Sequence, residues 1–200
     1  MSQNSKSKII GRITGALFAL AASVVVVNEG MKTEAYRDSG GVWTICAGET
    51  KDVKQGDTAT PSQCRAMLAA SLVEHAGALE GLPETTPDVV LLGGVDMAYN
   101  VGVKAFRTST AKKYLMAKDY KRAGEAVLLF KYITKKSTGK PGVGWVKASA
   151  GTWRFDCSQY IDGKPNKVCY GLWKRRLWQA QAIGNNFSNS DAAITALKNL

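Results

Sequence analysis

Apolar residues run along this chain in three rhythms. From Ile9 to Val27 they are nearly continuous, broken by Arg12, Thr14 and Ser23, after a polar leader carrying Lys6 and Lys8. From Tyr36 to Ile45 they are short and interrupted by Ser39-Gly40-Gly41, which predicts a strand, a tight turn and a second strand. Turn signals at Asp52 and Gly56-Asp57 extend this to a small three-stranded sheet ending near residue 59. Beyond residue 60 the spacing becomes helical. Thr60-Pro61-Ser62-Gln63 starts a helix: Thr60 caps, Pro61 suits the first helical position, and Gln63 completes a capping box. Cys64, Met67, Leu68, Leu72 and Leu79 follow as its apolar positions.

Thr86-Pro87-Asp88 repeats the starting signal ahead of VVLLGGVDMAYNVG, a stretch apolar nearly all round. That pattern belongs to a helix at the centre of a helical lobe. Gly93 and Gly94 lower its helix propensity and predict close packing against a neighbour. Further helices are expected near 110–117, 119–132, 170–183 and 191–198. The 119–132 helix is expected to present Ala123, Val127, Leu128 and Phe130, with Ile133 just beyond, and the 170–183 helix to pack through Trp173 and Leu177. The fold class is α+β: a small sheet lobe at about 29–60 and a larger, mainly helical lobe at about 61–200.

Composition sharpens this picture. With 200 residues, 45% hydrophobic and 22% charged, the chain can bury one sizeable core and is neither disordered nor wholly membrane-embedded. The net charge of +11 is uneven. Residues 29–103 hold five basic and eleven acidic groups, residues 104–200 nineteen and five. An acidic stretch followed by a basic half suits docking on an anionic polymer, either nucleic acid or the bacterial wall. Nucleic acid is not expected, because no recognition-helix, finger or RNP-like string is present. Lys135, Lys136, Lys140 and Lys147 read either as a solvated loop or as a wall-contacting surface.

The Ile9–Val27 run is close to the ~20 residues that span a bilayer, yet diluted by Gly and Ala. It reads as an export signal or weak signal anchor over residues 1–28 with a cytoplasmic start, a buried core helix being the alternative. Cleavage at Ala19, Ala21 or Ala22 would leave Val24–Val27 exposed ahead of Glu29. Export favours disulfides. Cys46, Cys64, Cys157 and Cys169 allow three full pairings, and local spacing favours 46–64 and 157–169. A staple of this kind closes a loop worth roughly 3 kcal/mol in chain-entropy terms. No C-x-x-C occurs and His75 is the only histidine, so a metal site is not expected and His75 reads as a surface or packing residue.

Candidate chemistry sits where the apolar run ends. Glu29 follows that run directly, and Asp38 lies in a polar, glycine-punctuated turn. Two carboxyls in unlike surroundings form the pattern of an acid and an ionised partner across a glycosidic bond. Spacing alone is weak, since such pairs commonly flank surface turns. The neighbouring letters are more specific. EGMKTEAYRDSGGVWTICAGET, residues 29–50, resembles the N-terminal active-site segment of the phage-type lysozymes, glycoside hydrolase family 24. That family's Glu, Asp and Thr, with eight and five residues between them, coincide with Glu29, Asp38 and Thr44. NVGVKAF-x-TST at 100–110 and GLWKRR at 171–176 extend the likeness. Cys46, Ala47 and Glu49 depart from the usual pattern, and 134–170 is unusually long and rich in Gly and Lys.

The resemblance implies a lysozyme-like fold with a cleft between the lobes, and hydrolysis of the β-1,4 bond between N-acetylmuramic acid and N-acetylglucosamine in peptidoglycan. Glu29 would protonate the leaving oxygen, Asp38 would stabilise positive charge at the sugar and help activate water, and Thr44 would hold that water. Direct attack by water implies inversion, with the carboxyls about 6.5–9.5 Å apart. No metal or organic cofactor is implied, and a monomer is expected. The N-terminal segment resembles a signal-anchor-release element: inner membrane facing the periplasm at first, periplasm after release. The alternatives are a lytic transglycosylase on the same polymer and a non-catalytic, tethered wall-binding protein.

Overall fold

The computed structural model describes residues 3–38 and 41–200, so Ser39-Gly40 of the expected turn lie outside the described residues. The apolar N-terminal run folds as two helices, α1 (Gln3–Thr14) and α2 (Phe18–Glu29), bent by 66° across the intervening break. Gly15 permits this bend: a Cβ there would lie 2.7 Å from the Gly11 carbonyl oxygen. Ile9, Ile13, Leu17, Ala21, Val24 and Val25 are buried in the main core, the large aliphatics contributing about 1.5–3 kcal/mol each. Arg12 donates to the carbonyls of Glu84 (2.8 Å) and Thr86 (3.0 Å) and pairs with Asp88. Lys8 pairs with Glu84 at 3.1 Å.

After Gly30, in the left-handed region at φ 75°, the chain turns into β1 (Lys32–Arg37), which pairs antiparallel with β2 (Trp43–Cys46). The expected third strand shrinks to a single bridge between Glu34 and Thr58. The Lys54–Asp57 turn and the helix cap at Thr60 leave no length for more. The Cys46–Cys64 disulfide ties β2 to α3 (Pro61–Ala76), whose capping box forms as the spacing predicts: Thr60 Oγ1 accepts from Gln63 N, and Thr60 N donates to Gln63 Oε1.

Helix α4 (Asp88–Val101) is buried continuously from Val89 to Ala98. Its two glycines meet neighbours closely, since a Cβ on Gly93 would lie 2.7 Å from Ala182 and one on Gly94 2.9 Å from Leu79. Thr86 does not cap this helix; its buried hydroxyl donates to the Pro83 carbonyl at 2.6 Å, and the Pro87 carbonyl receives the first turn's amides. Short helices α5 (Val103–Arg107), α6 (Thr110–Met116) and α7 (Tyr120–Val127) follow. The last ends earlier than the spacing predicts: Leu129 is 68% exposed and Ile133 lies in a strand.

The Gly- and Lys-rich stretch is a β insert in the helical lobe. Strands β3 (Tyr132–Lys136), β4 (Trp145–Ser149) and β5 (Thr152–Asp156) form an antiparallel sheet in the order β3-β5-β4, followed by the small hairpin β6 (Tyr160–Ile161) and β7 (Lys164–Pro165). Its own small core is Phe155 against Trp145, ring centroids 5.4 Å apart. The Cys157–Cys169 disulfide fastens the insert to the start of α8 (Tyr170–Ile183), which packs on α4 before α9 (Ser190–Lys198) closes the chain. Leu177 is 41% exposed, against the packing role expected of it, and α8 instead buries Arg175, Arg176, Trp178 and Gln179. The architecture is α+β, with small antiparallel sheets among helices.

Candidate active site

Glu29 is the last residue of α2, a position where the helix dipole disfavours an anion and where α2 has no basic residue in its final turn. The counter-charge comes from α8. Arg175 Nη1 donates to Glu29 Oε1 at 2.6 Å, while its Nε and Nη2 donate to the two oxygens of Asp96 on α4 at 3.2 and 2.8 Å. Burial penalises this guanidinium, but Asp96 and Glu29 outweigh it and hold its pKa above the ordinary arginine value. Asp96 is 0% exposed and also accepts from Gln179 Nε2 at 2.6 Å and Asn28 Nδ2 at 2.9 Å. Residues 28 and 29 are thereby fixed to both central helices, leaving the Glu29 side chain 26% exposed.

The turn after β2 flanks this carboxylate. A Cβ on Gly48, whose φ of 99° favours glycine, would sit 3.7 Å from Glu29 Cγ and 3.7 Å from the Tyr99 ring. Tyr99 donates to the Ala47 carbonyl at 2.9 Å and to Glu49 Oε1 at 3.1 Å, binding the turn to α4. His75 packs beside Tyr99, ring centroids 4.5 Å apart, with Nδ1 2.7 Å from the Ser71 carbonyl oxygen. It serves as a packing residue.

Asp38 ends β1. Its Oδ1 accepts from Val42 N at 2.8 Å, and its own N–H donates to the Val42 carbonyl at 3.0 Å. Thr44 pairs across the hairpin with Tyr36, two residues before Asp38, so strand alternation puts Tyr36, Asp38 and Thr44 on one side. Thr44 is 3% exposed, and its hydroxyl donates to the Val42 carbonyl at 3.1 Å, which leaves its lone pairs to accept from a water. Tyr36 reports on both carboxylates: burial raises its phenol pKa, and the charges of Glu29 and Asp38 raise it further. Among the described residues no cluster of His, Cys, Asp and Glu is suited to a metal ion.

Arg175, Asp96, Tyr36 and Tyr99 were not singled out by sequence reasoning. A signal was present for Asp96: a lone aspartate inside an apolar helix needs a buried partner.

Residues 27–147 match the Phage lysozyme family. The SAR-endolysin of Bacteriophage PS34 is 32% identical over 150 residues, covering 68% of this chain and 86% of that protein. Among solved structures, the endolysin from Escherichia coli O157:H7 phage FAHEc1 superposes with a TM-score of 0.60 at 23% identity, over 82% of this chain and 90% of that one. The active form of P1 phage endolysin Lyz superposes with a TM-score of 0.59 at 16% identity, over 89% and 93%. The likeness to solved structures fixes the fold as lysozyme-like.

Proposed function

Since the chain belongs to the phage lysozyme family and is a peptidoglycan-hydrolysing enzyme of the lysozyme type, we propose that Glu29, Asp38 and Thr44 carry its chemistry. Glu29 protonates the leaving glycosidic oxygen. Water held by Thr44 attacks the anomeric carbon of N-acetylmuramic acid from the opposite face and passes its proton to Asp38, inverting the centre. The negative charge that appears on Glu29 is received by Arg175, 2.6 Å away and itself anchored on Asp96. The observation that supports this reading is Glu29, held at 2.6 Å by Arg175 and flanked at Gly48 by the turn that follows the hairpin carrying Asp38 and Thr44.

Glu29→Gln is expected to fold normally and to lose clearing of purified peptidoglycan by about 10²–10⁴-fold, the range for a general acid. Mass spectrometry of wild-type products should show hydrolysed reducing ends, and NMR of freshly cut glycan an inverted anomer. Retention of more than about a tenth of the activity by Glu29→Gln removes it as the acid. Anhydro products would indicate transglycosylation, and a retained anomer would exclude direct attack by water.

The α1–α2 pair is the membrane tether of an unreleased form. Neither helix alone is long enough to span, but Lys8–Thr14 and Phe18–Glu29 together have the length and apolar character if the 66° bend opens. The relative's designation as a SAR-endolysin supports this assignment. A straightened, embedded segment withdraws Ile9, Ile13, Leu17, Ala21, Val24 and Val25 from the core and Glu29 from Arg175. The tethered enzyme on the periplasmic side of the inner membrane is therefore inactive, and release into the periplasm completes both core and site.

A further inference from the structure

The β insert is the part of the molecule that the catalytic reading does not use. Residues 131–169 carry eight basic and two acidic groups. Lys131 pairs with Asp156 at 2.8 Å, and the Arg154 guanidinium stacks 4.5 Å over the Tyr132 ring. Lys135, Lys136, Lys140, Lys147, Lys164 and Lys167 form no ion pair with any described residue.

Two of these lysines flank an aromatic ring. Trp153, on the central strand β5, lies directly opposite Lys135 of β3 on one side and Lys147 of β4 on the other. Directly opposed residues share a face with Cβ atoms about 4.5–5.5 Å apart, so one face presents a Lys-Trp-Lys row across three strands. The row beyond it on that face, Ile133-Phe155-Trp145, is the insert's small core. Trp153 Nε1 donates to the Ser137 carbonyl at 3.2 Å, which fixes the half-buried indole, and both lysines are exposed. The Cys157–Cys169 disulfide and the buried Asn166, whose Nδ2 donates to the carbonyls of Cys157 and Gln159, hold the sheet's base rigid.

An oriented indole between two unpaired ammonium groups matches a sugar ring that carries carboxylates: the apolar face of the sugar stacks on the ring and the carboxylates meet the lysines. Peptidoglycan has that chemistry, because its muramic acid residues bear peptides with free carboxylates. The insert is rooted at Cys169, the cap of α8. Arg175, which holds Glu29, is only six residues further along that helix, about 9 Å of rise. A polymer engaged by the catalytic lobe therefore passes near the sheet. We infer that the Lys135-Trp153-Lys147 row is an accessory binding surface for the anionic glycopeptide of peptidoglycan, keeping the enzyme on the wall between cuts; it rests on the muramidase reading for the identity of the polymer.

The test measures binding apart from cleavage. Glu29→Gln protein is co-sedimented with purified sacculi, with and without Lys135→Ala/Lys147→Ala, and separately with Trp153→Ala. Each alteration is expected to weaken sacculus binding by roughly tenfold at low salt, the size of two exposed charge pairs or one lost stacking contact. The effect of the lysine pair should shrink as added salt screens the charges. Lys135→Arg/Lys147→Arg should retain binding, and sacculi with amidated carboxylates should bind the unaltered surface as weakly as the alanine variant. Peptide mapping of the Cys157–Cys169 bond and near-UV circular dichroism establish that each variant is folded. Unchanged sacculus affinity in both the lysine and the tryptophan variants overturns the inference. A loss confined to phosphatidylglycerol vesicles overturns it in favour of a lipid surface. Failure of the wild-type enzyme to cleave sacculi would defeat the muramidase reading instead, through a different readout.

Discussion

The Asp96–Arg175–Glu29 triad allows stability and chemistry to be separated. Asp96 has no solvent exposure and four hydrogen bonds, two of them from the Arg175 guanidinium. Arg175→Met leaves that carboxylate buried with only the neutral amides of Asn28 and Gln179, at a cost of about 3–5 kcal/mol. Asp96→Asn is nearly isosteric but strands a guanidinium whose one remaining anionic partner is Glu29, and turns an amide N–H₂ or a weaker acceptor toward it; a similar cost is expected. The double variant removes both charges. Its carboxamide oxygen can still accept from one of Asn28 and Gln179, which donate to different oxygens of Asp96, and methionine refills the volume of the arginine stem. The double variant should therefore be destabilised by less than the two singles together, with a coupling of at least about 2 kcal/mol. For a chain of this size each single should lower Tm by roughly 6–20 °C. Urea unfolding with both disulfides intact gives all four free energies. Wall clearing should fall in both variants that lack Arg175, even where the double regains stability, because Glu29 has lost its partner. Additivity within about 0.5 kcal/mol would refute the claim that these charges act as one unit.

Two further outcomes are expected. Burial, with help from Arg107 and against Glu80, lowers the Lys112 ammonium from 10.5 to about 8, and this group donates to the carbonyls of Ala78 and Glu80 at 3.0 and 2.8 Å. The unfolded chain then binds more protons between pH 8 and 10.5, so the unfolding free energy should rise through that window by up to about 3 kcal/mol. The interval from pH 8 to 10 is the one to read, since Tyr99, raised by burial and by Glu49, begins to oppose the trend above it; Lys112→Met should abolish the rise, and an equal slope in both proteins would refute the assignment. Ala16→Leu, and more strongly Gly15→Leu, should keep the chain in the membrane fraction and inactive after an uncoupler is added, because leucine favours the bilayer and at position 15 also meets the Gly11 carbonyl of the bent form. An equally large soluble, active fraction in the variants, or an active form starting near residue 23, would exclude release of the intact segment.

What was legible in the sequence was local. The Thr60–Gln63 box lies within one turn, the two disulfides close the shortest loops, and the apolar run at 89–98 announces the central helix without knowledge of its neighbours. Thr86 shows the limit of local reading: the same Thr-Pro signal precedes a helix, but the hydroxyl finds the Pro83 carbonyl first. The β insert was hidden because its sheet buries only one end of one face, so apolar alternation never persists for a whole strand. Hydropathy placed Trp173 and Leu177 inward on α8, whereas a buried carboxylate at Asp96 and the Phe130 carbonyl draw Arg175 and Arg176 inside. The Glu, Asp and Thr spacing was visible through family likeness; the cation that meets Glu29 lies 146 residues away, beyond any local pattern.

Under the proposed release of a tethered form, the N-terminal segment serves two solvents, and that would account for its mixed composition. A more apolar run would fill the core equally well but would not leave the bilayer; a more polar one would fill neither. Its charges add a second constraint. In the proposed tethered form Lys8 and Arg12 begin on the cytoplasmic side, whereas in the folded chain they reach Glu84 and Asp88 on the catalytic domain. Release of the intact segment thus carries these two charges and Lys6 outward, against a potential that is negative inside, at about 2.3 kcal/mol per charge per 100 mV. The exposed Lys8–Glu84 pair recovers little of that in water, while Arg12, bound also to two backbone carbonyls, recovers more. In that proposed form an energised membrane would hold the segment through its cations as well as through its apolar surface. Collapse of the potential removes the first hold and leaves a segment weak enough in the second for the core to claim it.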